Sequence, residues 1–476
     1  MNAQIRQLVQ KVWSFCDVLR DDGITYQDYI SELSWLLFLC ISERSGGSTT
    51  NRIPSGFRWS DLVKEPDSNK LDFYQRQLTQ LALADDPLTS SIFSTASTSI
   101  RHPSVLAKLV ELISSIDWQS LGQQALGDVY EGLLERNATE QRSGAGQYFT
   151  PRFLVDLIVR VVDPQPAEVV QDPAAGTGGF LVAAARHASA MAGEATLAES
   201  SPTGSPKYVG IELVQSAHRL CLMNLFLHEV RADLRLADAL TSTGAELPPA
   251  DVVLSNPPFG SKRGAGIIAR PDLSHATSNK QLAFLQHIYR ALKHGGRAAV
   301  IVPDGVLFDE GVGRDIRREM MSLCDRLVVL RLPSGIFYAQ GVKTNVLFFR
   351  RIPDGQKPDT GVWVYDARSG VNARASDGKL NELLGEFQEL YRSAEFGDNQ
   401  QDTSRSDRYR HFSEAEVIAH AHRLDLGVQD EQSAMTESKD VDPAVILQNL
   451  RATLVKVTEL TDEFATLFTD GGPDAT

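Results

Sequence analysis

A chain of 476 residues exceeds what one hydrophobic core usually organises, so about two or three folding units are expected, each with enough core to need no staple. Lysine and arginine number 47 against 61 aspartates and glutamates, a formal charge of -14. That is the wrong sign for a lone chain that grips phosphates, so a nucleic-acid role requires a local basic cleft or a partner.

The N-terminus, MNAQIRQLVQKVW, has no apolar run long enough for a signal peptide or a membrane span. Cys16, Cys40, Cys221 and Cys324 lack CxxC spacing and sit among apolar neighbours, as buried thiols do in a reducing cytoplasm. A soluble cytoplasmic protein is expected. Residues 4–41 carry two helical stripes, Ile5, Leu8, Val9, Val12 and Trp13, then Ile30, Leu33, Leu36 and Leu37, with a turn at Asp21-Asp22-Gly23. Helical spacing continues over 71–83, 105–116 and 121–136 until Ser143-Gly144-Ala145-Gly146 breaks it. Residues 1–140 therefore read as a helical N-terminal domain.

From Phe153 helices alternate with short apolar runs at 168–170, 208–211, 251–254, 298–302 and 327–330, the pattern of a doubly wound, mostly parallel α/β sheet over residues 141–370. The run 344–349 is a further strand compatible with an antiparallel edge hairpin, and the sheet is expected to end near Arg351. Residues 189–206, a small-residue insertion, and the polar, charged stretch 395–410 read as mobile surface segments. In the C-terminal extension, 371–476, the residues Val445, Ile446, Leu450, Leu454, Val457, Leu460 and Phe464 recur at helical spacing and predict a long amphipathic helix for packing on its own domain or on a partner.

Two segments carry chemistry. Asp172-Pro173-Ala174-Ala175-Gly176-Thr177-Gly178-Gly179-Phe180 follows a strand and opens an apolar helix, the context of a nucleotide-binding glycine turn, whose missing side chains let a cofactor approach closely. Alone such a turn is weak, since nicotinamide and flavin sites share it. Glu212, at the end of the next strand, has two carboxylate oxygens for a ribose, although its distance from Asp172 exceeds the usual spacing because of the 189–206 insertion. The sharper segment is Asn256-Pro257-Pro258-Phe259 after the fourth strand: the prolines stiffen the turn and present the Asn256 amide oxygen and Pro257 carbonyl as paired acceptors for an exocyclic amino group, while Phe259 can stack on an extruded base. Asn-Pro also starts ordinary turns, and it is the joint occurrence with the glycine turn, both at strand ends, that favours the functional reading.

Together these segments resemble the cofactor and catalytic motifs of amino-group DNA methyltransferases. Gly146-Gln147-Tyr148-Phe149-Thr150-Pro151-Arg152 resembles the N-terminal cofactor motif of the adenine-N6 group, and residues 19–39 resemble the helical domain of modification subunits of type I restriction-modification systems. The resemblance implies a sheet of the S-adenosylmethionine-dependent methyltransferase type. It places Gln147, Tyr148, Phe149, Thr150, Pro151 and Arg152 at the cofactor's methionine end, with Gly176, Thr177, Gly178 and Gly179 around it. Glu212 would hold the ribose, Asp238 flank the adenine, and Asp172 approach the amino group. Ala175 stands where relatives often carry cysteine.

The implied partners are double-stranded DNA with a flipped adenine, one specificity subunit per two copies of this chain, and a restriction subunit; no membrane and no metal are implied. The implied reaction is direct displacement on the sulfonium methyl. No cysteine follows proline, as a cytosine-C5 enzyme would need, and no phosphate loop is present. Three rivals remain: a protein-glutamine or RNA amino-methyltransferase, a nicotinamide-dependent oxidoreductase, and a non-catalytic scaffold. The oxidoreductase has no use for Asn256-Pro257-Pro258-Phe259. Lys262, Arg263 and Arg270 are candidates for DNA phosphates, with a solvated loop as the alternative. His187, His218 and His228 lack metal-ligand spacing and read as structural.

Overall fold

The computed structural model describes residues 3–44, 52–118, 120–140, 149–192, 207–260, 270–337, 343–356, 361–368, 377–393 and 406–427. The glycine-rich break at 143–146 and the helix expected over 443–468 lie outside them. Among the described residues, eight helices come first: α1 (Ala3–Ser14), α2 (Cys16–Asp21), α3 (Tyr26–Arg44), α4 (Trp59–Lys64), α5 (Lys70–Leu81), α6 (Pro87–Phe93), α7 (Pro103–Ser114) and α8 (Gln123–Glu140). Gly23, at a φ of 76°, supplies the left-handed residue that the turn before α3 requires. Leu33, Leu36, Leu37, Phe38, Leu39 and Cys40 are all buried, so α3 is apolar around its circumference and forms the centre of this layer.

The alternating segment follows as α9 (Arg152–Val162), β1 (Val170–Asp172), α10 (Gly179–Ala192), β2 (Tyr208–Glu212), α11 (Gln215–Leu227), β3 (Ala232–Leu236), α12 (Ser242–Ala245) and β4 (Ala250–Ser255). After it come α13 (Lys280–Ala291), β5 (Leu292–Pro303), α14 (Asp304–Phe308), α15 (Val312–Leu323), β6 (Cys324–Arg331), β7 (Thr344–Arg351), β8 (Val362–Asp366), α16 (Asp377–Ser393), β9 (Tyr409–Phe412) and α17 (Glu414–Ala419). Helix α10 runs into the stretch expected to be an insertion.

Among the described residues the strands form one sheet in the order β3-β2-β1-β4-β5-β7-β6-β8-β9. Strands β1 to β5 are mutually parallel, and β7 runs antiparallel between β5 and β6. Two expectations are corrected here. Strand β7 is internal rather than at an edge, because Val346, Leu347, Phe348 and Phe349 are apolar on both faces and both faces are covered. The sheet does not end near Arg351 either: β8 pairs with β6 and β9 with β8, the last join carrying a Trp363–Tyr409 ring stack at 4.8 Å.

One face of the sheet packs on α9, α10 and α16 through Leu154, Ile158, Phe180, Val182 and Phe387, and the other takes α13 through Ala283 and Phe284. Helix α11 serves both layers, since its Met223 and Leu227 belong to the helical core. Contact between α8 and α11 is close because Gly127 has no side chain: a Cβ there would fall 2.3 Å from the His228 ring. The four cysteines are buried thiols. Among the described residues no helix is long and apolar enough to cross a membrane.

The chain winds outward from β1 through β2 and β3, then crosses back to start again at β4. The direction of winding therefore reverses between β1 and β4, and a crevice opens beyond their carboxyl ends.

Candidate active site

The glycine turn lies on one side of that crevice. Gly176 and Gly178 sit at φ 56° and 81°, where a side chain is strained, and a Cβ on Gly178 would stand 2.8 Å from the buried Cys221 Sγ of α11. Gly178 N–H closes the turn on the Ala175 carbonyl at 2.8 Å, and its own carbonyl accepts from Val182 as α10 begins. The turn is fastened to β2 by Ala175 N–H donating to Ile211 O at 2.9 Å and Gly176 N–H donating to Glu212 Oε2 at 2.8 Å. From behind, the buried Asn224 of α11 donates Nδ2 to the Thr177 carbonyl at 3.0 Å. In front of Gly179 there is open space within 4 Å of where a Cβ would stand.

Two carboxyls border the turn. Glu212 accepts from Gly176 N–H on one oxygen and from Val214 N–H at 2.8 Å on the other, which leaves each oxygen a second lone pair. Burial raises its pKa and the amide bonds oppose that rise. Asp172, at 1% exposure, accepts at Oδ1 from Ala174 N–H at 3.0 Å and from the Ser255 hydroxyl at 2.8 Å. Burial pushes its pKa up to about 7. The Ser255 bond ties the end of β1 to the end of β4, so it sets the width of the crevice. Asp238 joins the same rim because Ala237 N–H donates to Glu212 O at 3.0 Å; its own Oδ1 caps Leu240 N–H at 2.9 Å.

Asn256 is the first residue after β4, on the other side of the crevice. Pro257 is buried, while Pro258 and Phe259 are half-buried and Phe259 leans on the core beneath α9 and α10. Asn256 Nδ2 donates to Thr150 Oγ1 at 2.9 Å, across 106 residues of sequence. Thr150 precedes Pro151, whose carbonyl accepts the first amide bonds of α9 from Leu154 and Val155 at 3.0 and 3.1 Å. Arg152 pairs with Glu131 of α8 and with Asp156 at 3.0 Å, and Phe149 leans on the helical core. Gln147 and Tyr148 lie outside the described residues.

Arg270 corrects an expectation. It is 5% exposed, gives Nη1 to the Ala239 carbonyl at 2.7 Å, forks onto Asp272 at 2.6 and 2.7 Å, and touches His287 Nδ1 at 3.0 Å. A guanidinium so committed braces the 238–240 segment and is not exposed to a phosphate. Lys262 and Arg263 lie outside the described residues. Sequence reading missed Ser255, Cys221 and Asn224; the one signal for Asn224 was a lone amide inside the apolar run Leu220–Leu227.

An S-adenosylmethionine fits these residues: bare backbone at Gly176 and Gly179, a carboxylate at the end of β2, and an acid beside the turn to meet a charged amino group. Comparison with known proteins points the same way. Residues 122–438 match the N-6 DNA Methylase family. The chain is 44% identical over 406 residues to the type I restriction enzyme EcoKI methylase subunit of Escherichia coli strain K12, covering 81% of this chain and 76% of that one. It is 45% identical over 382 residues to the StySPI methylase subunit of Salmonella potsdam, covering 76% and 72%. Among solved structures, a chain from a type I R-M system described for its complex assembly and conformational transition superposes with a TM-score of 0.72 at 26% identity over 98% of this chain and 99% of that one. The EcoKI M protein does so at 0.52 and 36%, over 98% and 97%.

Proposed function

The chain belongs to the N-6 DNA methylase family and is an adenine-specific DNA methyltransferase subunit of the type I restriction-modification kind, and we propose that its chemistry takes place in the crevice between β1 and β4. The observation that carries this reading is the pairing of the glycine turn after β1 with Asn256 after β4, joined at their bases by the Asp172–Ser255 bond.

S-adenosylmethionine supplies an electrophilic sulfonium methyl. The chain's own residues do the rest by positioning and electrostatics, with no covalent intermediate. Gly176, Thr177, Gly178 and Gly179 receive the cofactor, Glu212 offers its remaining lone pairs to the ribose hydroxyls, and Asp172 faces the amino group. A cation arriving there favours the ionised form of a carboxyl that burial otherwise holds near neutrality. Asn256 Oδ1 and the Pro257 carbonyl accept the two N–H bonds of the adenine amino group. Both acceptors draw the two hydrogens toward themselves and polarise the N–H bonds toward nitrogen, so the lone pair turns out of ring conjugation for in-line attack. The N–C bond forms as the S–CH3 bond breaks, S-adenosylhomocysteine leaves, and one amino proton passes to solvent. Phe259 stacks on the base once it has left the helix, at an unstacking cost of a few kcal/mol.

With a charge of -14, the chain needs a local basic cleft or a partner to hold DNA, and a partner is the reading proposed. A specificity subunit supplies sequence reading, in a proposed ratio of one to two copies of this chain, and a restriction subunit joins for cleavage. The test is transfer of labelled methyl from S-adenosylmethionine to unmethylated genomic DNA by the chain purified with its specificity subunit, followed by nucleoside analysis. N6-methyladenine in DNA, abolished by Asn256→Ala, is expected. Label in RNA or protein with DNA unmodified would replace this reading.

A further inference from the structure

Within the proposed site, we infer that Thr150 is the positioning residue that holds the Asn256 amide in its productive plane. The inference rests on Asn256 being the acceptor of the adenine amino group.

An asparagine that follows a strand and precedes two prolines has its backbone fixed, but its terminal torsion is broad and roughly two-fold. Left to itself the amide would present nitrogen to the substrate as readily as oxygen, and nitrogen facing an amino group sets donor against donor. The Thr150 hydroxyl accepts from Asn256 Nδ2 at 2.9 Å, so the plane of the amide is set before a base arrives, and in this arrangement its oxygen points away from Thr150 and is the end left to accept.

Thr150 can do this because it is itself held. The next residue, Pro151, has a fixed φ and begins α9, and Arg152 is pinned by Glu131 of α8 and Asp156. Phe149, on the other side, is seated against the helical core. Thr150 is thereby fixed by the helical layer while its side chain reaches the sheet layer. Preorganised acceptors of this kind lower the barrier because nothing need reorient during reaction.

Thr150→Val keeps the shape and removes the hydroxyl, and Thr150→Ser keeps the hydroxyl. The measurements are the single-turnover rate of methyl transfer to genomic DNA at saturating cofactor, by the chain with its specificity subunit, and the calorimetric affinity for S-adenosylhomocysteine. Loss of one hydrogen bond that acts only on Asn256 predicts a rate about tenfold lower for Thr150→Val. Because the resemblance also places Thr150 at the cofactor's methionine end, affinity for S-adenosylhomocysteine is read separately and the inference stands on the rate at saturating cofactor, most of which Thr150→Ser should recover. Thr150→Ala serves as a second hydroxyl deletion and should match the valine variant. A full rate in both deletions overturns the inference, as does weakened cofactor affinity with an unchanged rate at saturation. Asn256→Ala measured alongside separates the two claims. If it methylates normally, the proposed catalytic site is wrong; if it is inactive while Thr150→Val is fully active, the role of Thr150 alone falls.

Discussion

Gly178→Ala puts the geometry of the proposed cofactor turn to a quantitative test. The residue sits at φ 81°, and a Cβ would stand 2.8 Å from Cys221 Sγ and 3.9 Å from the Cys221 Cα. A left-handed backbone costs a non-glycine residue about 1–2 kcal/mol. Forcing a methyl against a thiol in a packed core adds about 1–3 kcal/mol, since the thiol can move only into filled space. If about 1.4 kcal/mol of that sum appears as displacement of the turn, cofactor affinity falls about tenfold and the rest appears as lost stability. The assay is calorimetric binding of S-adenosylhomocysteine together with thermal melting. Adding Cys221→Ala removes the sulfur, and so should recover the steric part of the loss but not the dihedral part. Wild-type affinity and melting for Gly178→Ala would refute the reasoning, and no recovery in the double variant would show that Cys221 does not press on the turn.

Two further predictions concern parts of the molecule away from the turn. Burial pushes the Glu32 carboxyl of α3 up to about 7 from an ordinary 4.5, although Ser99 N–H and the Thr98 hydroxyl donate to it. The folded chain then keeps a proton that the unfolded chain has released, so this group's stability contribution is complete below about pH 4.5 and is lost as pH rises through about 7. Glu32→Gln should flatten that part of the stability profile in urea unfolding at stepped pH, and an unchanged slope would contradict the assignment. Arg270→Ala should cost about 1.5–3 kcal/mol of stability through its lost charged hydrogen bonds. It should leave the salt dependence of DNA binding by the complex unaltered, whereas a phosphate contact would reduce the slope by about one.

The candidate site was legible where its residues are contiguous in sequence. Asp172 to Phe180 and Asn256 to Phe259 are contiguous runs at strand ends, so periodicity and glycine placement sufficed to put both at the carboxyl edge of the sheet. What supports them comes from far away in the chain, and the pairings themselves left no trace in the sequence. Ser255 reaches Asp172 across 83 residues, Asn224 reaches Thr177 across 47, and Thr150 reaches Asn256 across 106. The longer helices of the first 140 residues were readable from their stripes, but the short α4 and α6 were not, and no pattern in α11 announced that Met223 and Leu227 would join the helical core. The far side of the sheet was misjudged because β9, Tyr409–Phe412, is short and carries Arg410 and His411. Its pairing with β8 is tied by cross-strand rings rather than by an apolar run.

The central claim is that one crevice, with Asn256 on its β4 side, methylates adenine in DNA. Its most direct measurement is the map of modified bases in chromosomal DNA from cells expressing the chain with its specificity subunit, for the wild type and for Asn256→Ala, the variant first being verified to bind S-adenosylhomocysteine. The expected result is N6-methyladenine at one recurring sequence in the wild type and none in the variant. N6-methyladenine persisting at that sequence in the variant would contradict the claim.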